Sequence, residues 1–536
     1  MAKEKAAWTV MVYLAGDNNL TTECMFALTE MKRATRSEEL NIIAQFDPSD
    51  PYLPSHRYEI NKDDKTGSIC PDIIDCARYY KNKREVNFRK ESRNAIALAA
   101  AREAAREEVR KNGGKKLDRA SLTDAKLGKV FTDDTDTGSP VTLYNFISFC
   151  LQEYPADRYM VVLSGHAGGT ERDYMLKDES SARSLTHNEL KQVFRRIKRD
   201  RHGKLIDIIG MDNCLMSMAE ICYELRDVAE IVVGCESFSP ISGWPYRQIL
   251  ERLATDFVDP KLPPEQSVTT EAAKAIVDEY VNFYATYWMA GLSVTQSALN
   301  VKKVQALREH IDRLAEAMEK ELIAEAKKKT LAPAKRLLEN ALLLAHWEAQ
   351  SYNGEQFVDL YDFCDCLEKR EPPAAIAQRC NELKQFIKTQ FVLKSCYCGA
   401  TYQYSYGVSI YFPWSEIAPS YWNLDFVQPN ESGWGSFLKT YTQLTRRLPR
   451  NGMVAPGMMF SRTDQDYTAS DLIMERMTFD RMTFDRMTFD RMTFDRMGSA
   501  ANRIHSMRNP PAVFDPAECV RDRQNVVKSQ KIFRLR

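Results

Sequence analysis

The sequence predicts an α/β fold in which a mostly parallel sheet is covered by helices on both faces. Short apolar runs rich in β-branched and aromatic residues recur at residues 8–15, 40–46, 159–163, 205–211 and 229–235. Continuous runs of this kind, as opposed to alternating ones, suit strands buried on both faces. Stretches of helical period lie between them, which is the pattern of a sheet built by crossovers. Several runs also end in polar or glycine-rich turns, at the carboxyl ends of strands where open α/β sheets place their ligands.

Each element has its own warrant. The run WTVMVYLA at 8–15 is a buried strand closed by Gly16, Asp17, Asn18 and Asn19. Thr21 or Thr22 is placed to cap a helix carrying Met25, Leu28 and Met31 on one face. A strand at 40–46 ends at Asp47, and another is indicated at 56–60. Composition then changes to an Ala- and Arg-rich helix at 91–111, ended by Gly113 and Gly114, which reads as an insertion. Ser139 and Pro140 open a helix that turns Leu143, Phe146, Ile147 and Cys150 inward. The strand at 159–163 runs into Ser164, Gly165, His166, Ala167, Gly168 and Gly169, and a polar loop over 170–184 leads to a helix opened by the capping box of Thr186 and Glu189. The strand at 205–211 ends in Asp212, Asn213 and Cys214, followed by a helix over 216–225 and a strand over 229–235. Beyond these, 267–346 is largely helical with a short strand at 291–294, 357–366 reads as a helix and 406–412 as a strand.

The tail follows no structural period. Met-Thr-Phe-Asp-Arg occurs four times, at 477–481, 482–486, 487–491 and 492–496. Five residues match neither 3.6 nor 2, so no face collects the Met and Phe side chains, and the tract reads as exposed and of low complexity.

Composition excludes several classes. Lys plus Arg equals Asp plus Glu at 74 each, so no global field recommends nucleic acid or an acidic membrane as partner. In the insertion, Glu103, Glu107 and Glu108 interleave with Arg102, Arg106 and Arg110 as intrahelical pairs do. No apolar run approaches the 20 or so residues of a membrane span, and the first residues show no signal-peptide pattern, so a cytoplasmic protein is expected. The 13 cysteines, an odd and scattered set, are expected to be reduced thiols. Cys364 with Cys366 and Cys396 with Cys398 lack zinc-site spacing, and no metal is assigned to them.

His166 and Cys214 both sit at carboxyl ends of strands on successive strand-helix units, 48 residues apart. A nucleophilic thiol needs a base at such an adjacent position, and caspases place their His about 50 residues before their Cys. By itself this spacing also fits one buried thiol among many and an ordinary loop histidine.

The ordered segments at 8–20, 159–169, 212–220 and 234–246, with weaker likenesses at 357–362 and 406–413, resemble the clostripain family of cysteine peptidases, a caspase-like clan. The resemblance spans roughly residues 8–447. It implies a caspase-like sheet with 1–60 and 127–260 as catalytic domain, a basic helical insertion at 61–126, a further α/β part at 261–447 and a tail at 448–536. It implies Cys214 as nucleophile, His166 as general base and acid, and the backbone amides of Cys214 and Ala167 as oxyanion donors. Asp212 falls where the family carries the carboxylate that selects Arg, with Lys as the alternative, before the scissile bond; it also fits a helix cap. Ser242 stands where relatives are often acidic, and Glu236 is the expected compensation. Ala167 replaces a usual Gly, where a positive φ would be strained.

Relatives are commonly cut between His and Cys. Arg172, Lys177 and Arg183 are the processing candidates here, which implies an upstream activating protease or self-cleavage. Calcium dependence occurs in the family, and Asp133, Asp134, Thr135 and Asp136 offer suitable oxygens without an EF-hand pattern. The chemistry itself requires no cofactor. The resulting expectation is an intracellular Arg-specific cysteine endopeptidase acting on protein or peptide substrates, made as a zymogen and regulated in a stress, defence (antiviral included) or cell-death cascade. The repeat arginines serve as further cleavage points or the tract as a linker. The alternative is a catalytically silent caspase-like scaffold that binds partners. An enzyme of nucleotide chemistry lacks its Gly-rich loop after Val12.

Overall fold

The computed structural model describes residues 5–34, 37–49, 55–60, 72–73, 136–286, 292–327, 337–353, 356–414, 416–428 and 433–447. The helix expected at 91–111 and the repeat tract lie outside the described residues.

The strands in chain order are β1 Ala6–Gly16, β2 Leu40–Pro48, β3 His56–Glu59, β4 Asp72–Ile73, β5 Ala156–Ser164, β6 Met175–Asp178, β7 Arg183–Leu185, β8 Ile206–Asp212, β9 Ala229–Gly234, β10 Val294–Asn300, β11 Ser351–Tyr352, β12 Phe357–Asp359, β13 Val392–Cys398 and β14 Ser409–Tyr411. Nine of them form one sheet in the order β13-β10-β9-β8-β5-β1-β2-β3-β4. Its five central strands run parallel, from β9 through β8, β5 and β1 to β2. Antiparallel strands flank them on both sides. The parallel interior is the part that the continuous apolar runs predict, and every residue of β1 is buried.

Alternate β1 side chains feed two cores. Trp8, Val10, Val12 and Leu14 pack with the helices Thr21–Arg33, Tyr246–Asp256 and Val268–Thr286 on one face. Met11, Tyr13 and Ala15 pack with Pro140–Glu153 and His187–Asp200 on the other. The expected inward residues Leu143, Phe146, Ile147 and Cys150 are all buried, and Ser139 Oγ caps that helix by accepting from Val141 N–H. The capping box of Thr186 and Glu189 is complete.

Some expectations need correction. The helix at Thr21 has no side-chain cap. Thr21 Oγ1 instead donates to the Gly16 carbonyl at 2.6 Å and lies 2.7 Å from Ser49 Oγ, so the hydroxyl joins two strand ends. The loop over 170–184 contains a helical turn and the β6–β7 hairpin. The helix expected at 216–225 spans Ala219–Glu224, and the segment expected as a helix from 357 begins as β12 before the helix Leu360–Glu368. The strand expected at 291–294 lies at Val294–Asn300. Its Thr and Ser residues hide it from an apolar pattern, yet Thr295 and Ser297 are buried in hydrogen bonds to β9 and its neighbours. No helix among the described residues is long and apolar enough to cross a membrane.

Candidate active site

Chain order reverses beside β1: the next strand pairs on one side as β2, and β5 pairs on the other. Such a switch point opens a crevice at the carboxyl ends of the strands. A cleft of about 470 Å³, open mouth included, lies there. Its lining includes Ser164, His166, Asp212, Cys214, Ser242 and Gly243, with Leu20, Glu23, Cys24 and Ala27 from the first helix. Of the residues that the sequence assigned to nucleophile, base and cation pocket, Cys214, His166, Asp212 and Ser242 therefore meet in one place.

Cys214 lies two residues beyond the end of β8, and Leu215 after it has φ of 61°, in the left-handed region. That conformation costs a branched side chain about 1–3 kcal/mol. Full burial of Leu215, a bond from its amide to Ser237 O (3.0 Å) and bonds from Met216 N–H and Ser217 N–H to Cys235 O (2.9 Å each) hold the turn. The turn spends the amides after Cys214 on the 235–237 backbone, and among the described residues nothing accepts from the Cys214 N–H. The thiol sits against Ser239, accepting from its amide at 3.3 Å. Burial pushes the thiol up to about 11, the Ser239 amide opposing and the Asp212 charge adding.

His166 follows β5 and is 1 % exposed. Its Nε2 lies 2.6 Å from Asn19 Oδ1, while Nδ1 is buried without a partner among the described residues. Burial, with Lys177 adding, holds the imidazole down to about 4. No hydrogen bond joins His166 to Cys214, and burial favours the uncharged imidazole and the uncharged thiol. Ala167 forms an isolated bridge with Met175 in which the bonds are made by its neighbours, Leu176 N–H to His166 O at 2.7 Å and Gly168 N–H to Tyr174 O at 3.1 Å. The Ala167 amide thus points away from the hairpin. Ala167 is not among the residues of positive φ, so the missing glycine creates no strain there.

Asp212 ends β8 at the floor of the cleft. Tyr246 OH and Ser164 Oγ donate to its Oδ2 at 2.7 and 2.9 Å, and Oδ1 has no hydrogen bond, the Trp244 amide beside it lying outside bonding geometry. Burial raises the carboxyl to about 6 against these donors. Gly243 has φ of +66°, and a Cβ there would lie 3.0 Å from both Asp212 oxygens. Asp212 makes no cap bond to the following helix, whose flanking residue is Met218.

Ser242 lines the cleft as expected, 2.9 Å from Tyr284 OH. Glu236 does not. It is 1 % exposed, accepts from Gly407 N–H at 2.9 Å and shares a buried environment with Asp359, which raises both carboxyls. Its role is to tie β9 to the segment before β14. Glu23 instead supplies the second acidic side chain of the cleft, on the helix face formed by Leu20, Glu23, Cys24 and Ala27. Spacing of three and four residues carried that signal, which was legible once the helix was placed.

The processing candidates are ordered. Arg172 ends a helical turn, Lys177 lies in β6, and Arg183 lies in β7 with its guanidinium 3.1 Å from Glu189. Cleavage after Lys177 or Arg183 requires the hairpin to open. Of the acidic cluster considered for calcium, Asp133, Asp134 and Thr135 lie outside the described residues. Asp136 is buried beside Asp178, accepts from Ser181 Oγ at 3.0 Å and is raised to about 7, chiefly by burial. Among the described residues no group of three or more His, Cys, Asp or Glu is arranged to hold a metal ion.

Comparison with known proteins gives a consistent result. Clostripain of Hathewaya histolytica is 22% identical over 398 residues, a match covering 68% of this chain and 66% of that protein, slightly under two thirds of its length. A secreted C11 cysteine protease from Bacteroides thetaiotaomicron, solved with an irreversible peptide inhibitor, superposes with a TM-score of 0.50 at 16% identity, covering 79% of this chain and 98% of that one. An inactive zymogen C11 protease from Parabacteroides distasonis reaches 0.48 at 16% identity, over 80% and 99%. The profile of the clostripain family, peptidase C11, matches residues 12–441. With four fifths of the chain inside that match, this protein belongs to the clostripain family.

Proposed function

We propose that the protein is a cysteine endopeptidase that cleaves after Arg, with Lys as the alternative. The carrying observation is the buried Asp212 carboxylate on the floor of the same cleft that holds Cys214 and His166. A buried carboxylate with an unbonded oxygen is costly unless a cation meets it. Among the described residues the cleft lining holds the carboxyl groups of Asp212 and Glu23 and no Lys or Arg, which supports a cationic side chain as the occupant.

In this reading Cys214 Sγ attacks the carbonyl carbon of the scissile bond while its proton passes to His166. The amides of Cys214 and Ala167 donate to the oxyanion. Collapse breaks the C–N bond, His166 returns the proton to the leaving amine, and a thioester remains. Water, deprotonated by His166, then releases the carboxylic acid and regenerates the thiol. The absence of a Cys214–His166 bond also fits the second reading, a silent scaffold. Incubation with an arginyl chloromethylketone separates them. Alkylation confined to Cys214, absent in Cys214→Ala, supports the peptidase; no alkylation with or without calcium and after limited proteolysis sinks it.

A further inference from the structure

We propose that Asn19 is a positioning residue for His166. Its side-chain oxygen fixes the tautomer with the proton on Nε2, so Nδ1 is the nitrogen that takes and returns the proton of Cys214. The inference rests on the reading of Cys214 and His166 as the reacting pair.

A contact of 2.6 Å between Asn19 Oδ1 and His166 Nε2 needs a hydrogen between them. An amide oxygen has none to give, so Nε2 carries it and Nδ1 keeps its lone pair. The reverse amide orientation would place the ring proton on Nδ1, which is buried with no acceptor among the described residues; that arrangement costs an unsatisfied N–H. Protonation of Nδ1 turns the Nε2–H bond to Asn19 into a charge-assisted one, which favours the imidazolium as it forms. A Cys, His and Asn working in this order recurs on unrelated folds.

The fold holds Asn19 in place. Leu14 of β1 pairs in register with Ser164 of β5, two residues before His166, so the turn after β1 folds over the imidazole across the switch point. That turn is pinned. Asn18 Nδ2 donates to Ala15 O at 3.0 Å and Lys177 O at 2.8 Å, and Asn18 Oδ1 accepts from Leu20 N–H at 2.9 Å. Asp17 receives Glu179 N–H on its carbonyl at 2.8 Å and Ser180 N–H on its carboxylate at 2.9 Å. The β6–β7 hairpin therefore braces the turn that presents Asn19.

Asn19 is itself exposed, so substitution spares the core. Full-length Asn19→Ala and Asn19→Asp are assayed with an arginyl amide substrate across pH, beside Cys214→Ala. Asn19→Ala is expected to lower kcat about 10- to 100-fold with KM within about two-fold. Asn19→Asp keeps an acceptor and adds a charge, so it restores part of kcat and moves the acid limb of the profile up by about one pH unit. A kcat for Asn19→Ala near wild type overturns the proposal, and so does an unmoved acid limb in Asn19→Asp. Activity surviving in Cys214→Ala instead overturns the underlying reading.

Discussion

The floor of the cleft costs stability, and the cost is measurable in Asp212→Asn. Burial raises the Asp212 carboxyl from 3.8 to about 6 in the folded chain. At about 1.36 kcal/mol per unit, the ionised side chain destabilises the fold by about 3 kcal/mol. The sign follows from the direction of the shift. Above about pH 6 the carboxylate is charged in both states and the full cost is present; it fades as pH falls and vanishes below the unfolded value of 3.8. Asparagine keeps an oxygen for the Tyr246 and Ser164 hydroxyls, and the help those donors give to the charge is already contained in the shift. The variant is thus expected to gain about 2–3 kcal/mol in urea denaturation at pH 7.5 and little at pH 4. Its kcat/KM on an arginyl substrate should fall by about 2–5 kcal/mol of lost pairing, or roughly 30- to several-thousand-fold. A variant no more stable than wild type at pH 7.5, or one that cleaves after Arg as well as wild type, refutes the reasoning.

Two neighbouring substitutions test the same pocket. Glu23→Gln should raise KM for arginyl substrates about 2- to 5-fold at constant kcat, because its carboxylate lines a partly open wall; an unchanged KM in steady-state kinetics excludes Glu23 from cation binding. Gly243→Ala places a side chain on a backbone with φ of +66° and 3.0 Å from the Asp212 oxygens. It should cost about 1–2 kcal/mol in thermal unfolding and raise KM for arginyl peptides; a variant of wild-type stability and KM contradicts that packing.

The parallel centre of the sheet was legible because strands buried on both faces leave unbroken apolar runs, as in β1, β5 and β8. The capping box at Thr186 was legible because it is local. Polar strands were not. β10, with Thr295, Gln296 and Ser297, is held by hydroxyl and amide bonds to neighbours far along the chain, so its residues lack the pattern that marks a strand. The β6–β7 hairpin is four residues against three, and its connection to β1 runs through Asp17 and Asn18, which no local period reveals. Glu236 shows the same limit at the site. It follows β9 just as Asp212 ends β8, and only the Gly407 amide, 171 residues away in sequence, shows that its carboxyl turns elsewhere. Asn19 belongs to a segment read as a turn, and its closeness to His166 follows from the β1–β5 register.

Desolvation acts on the whole site in one sense: it holds Cys214 as a thiol, His166 as neutral imidazole and Asp212 near its ionisation point. The charge on Asp212 also contributes to keeping the Cys214 thiol high. On the proposed reading, a guanidinium seated on Asp212 would cancel that contribution, and the substrate's own side chain would ease formation of the thiolate. Recognition and activation would then be one electrostatic event. Methylguanidinium should speed alkylation of Cys214 by iodoacetamide in wild type and leave Asp212→Asn unchanged, as read by mass spectrometry of the labelled peptide. Equal rates with and without the cation in wild type would separate the two roles and leave Asp212 with binding alone.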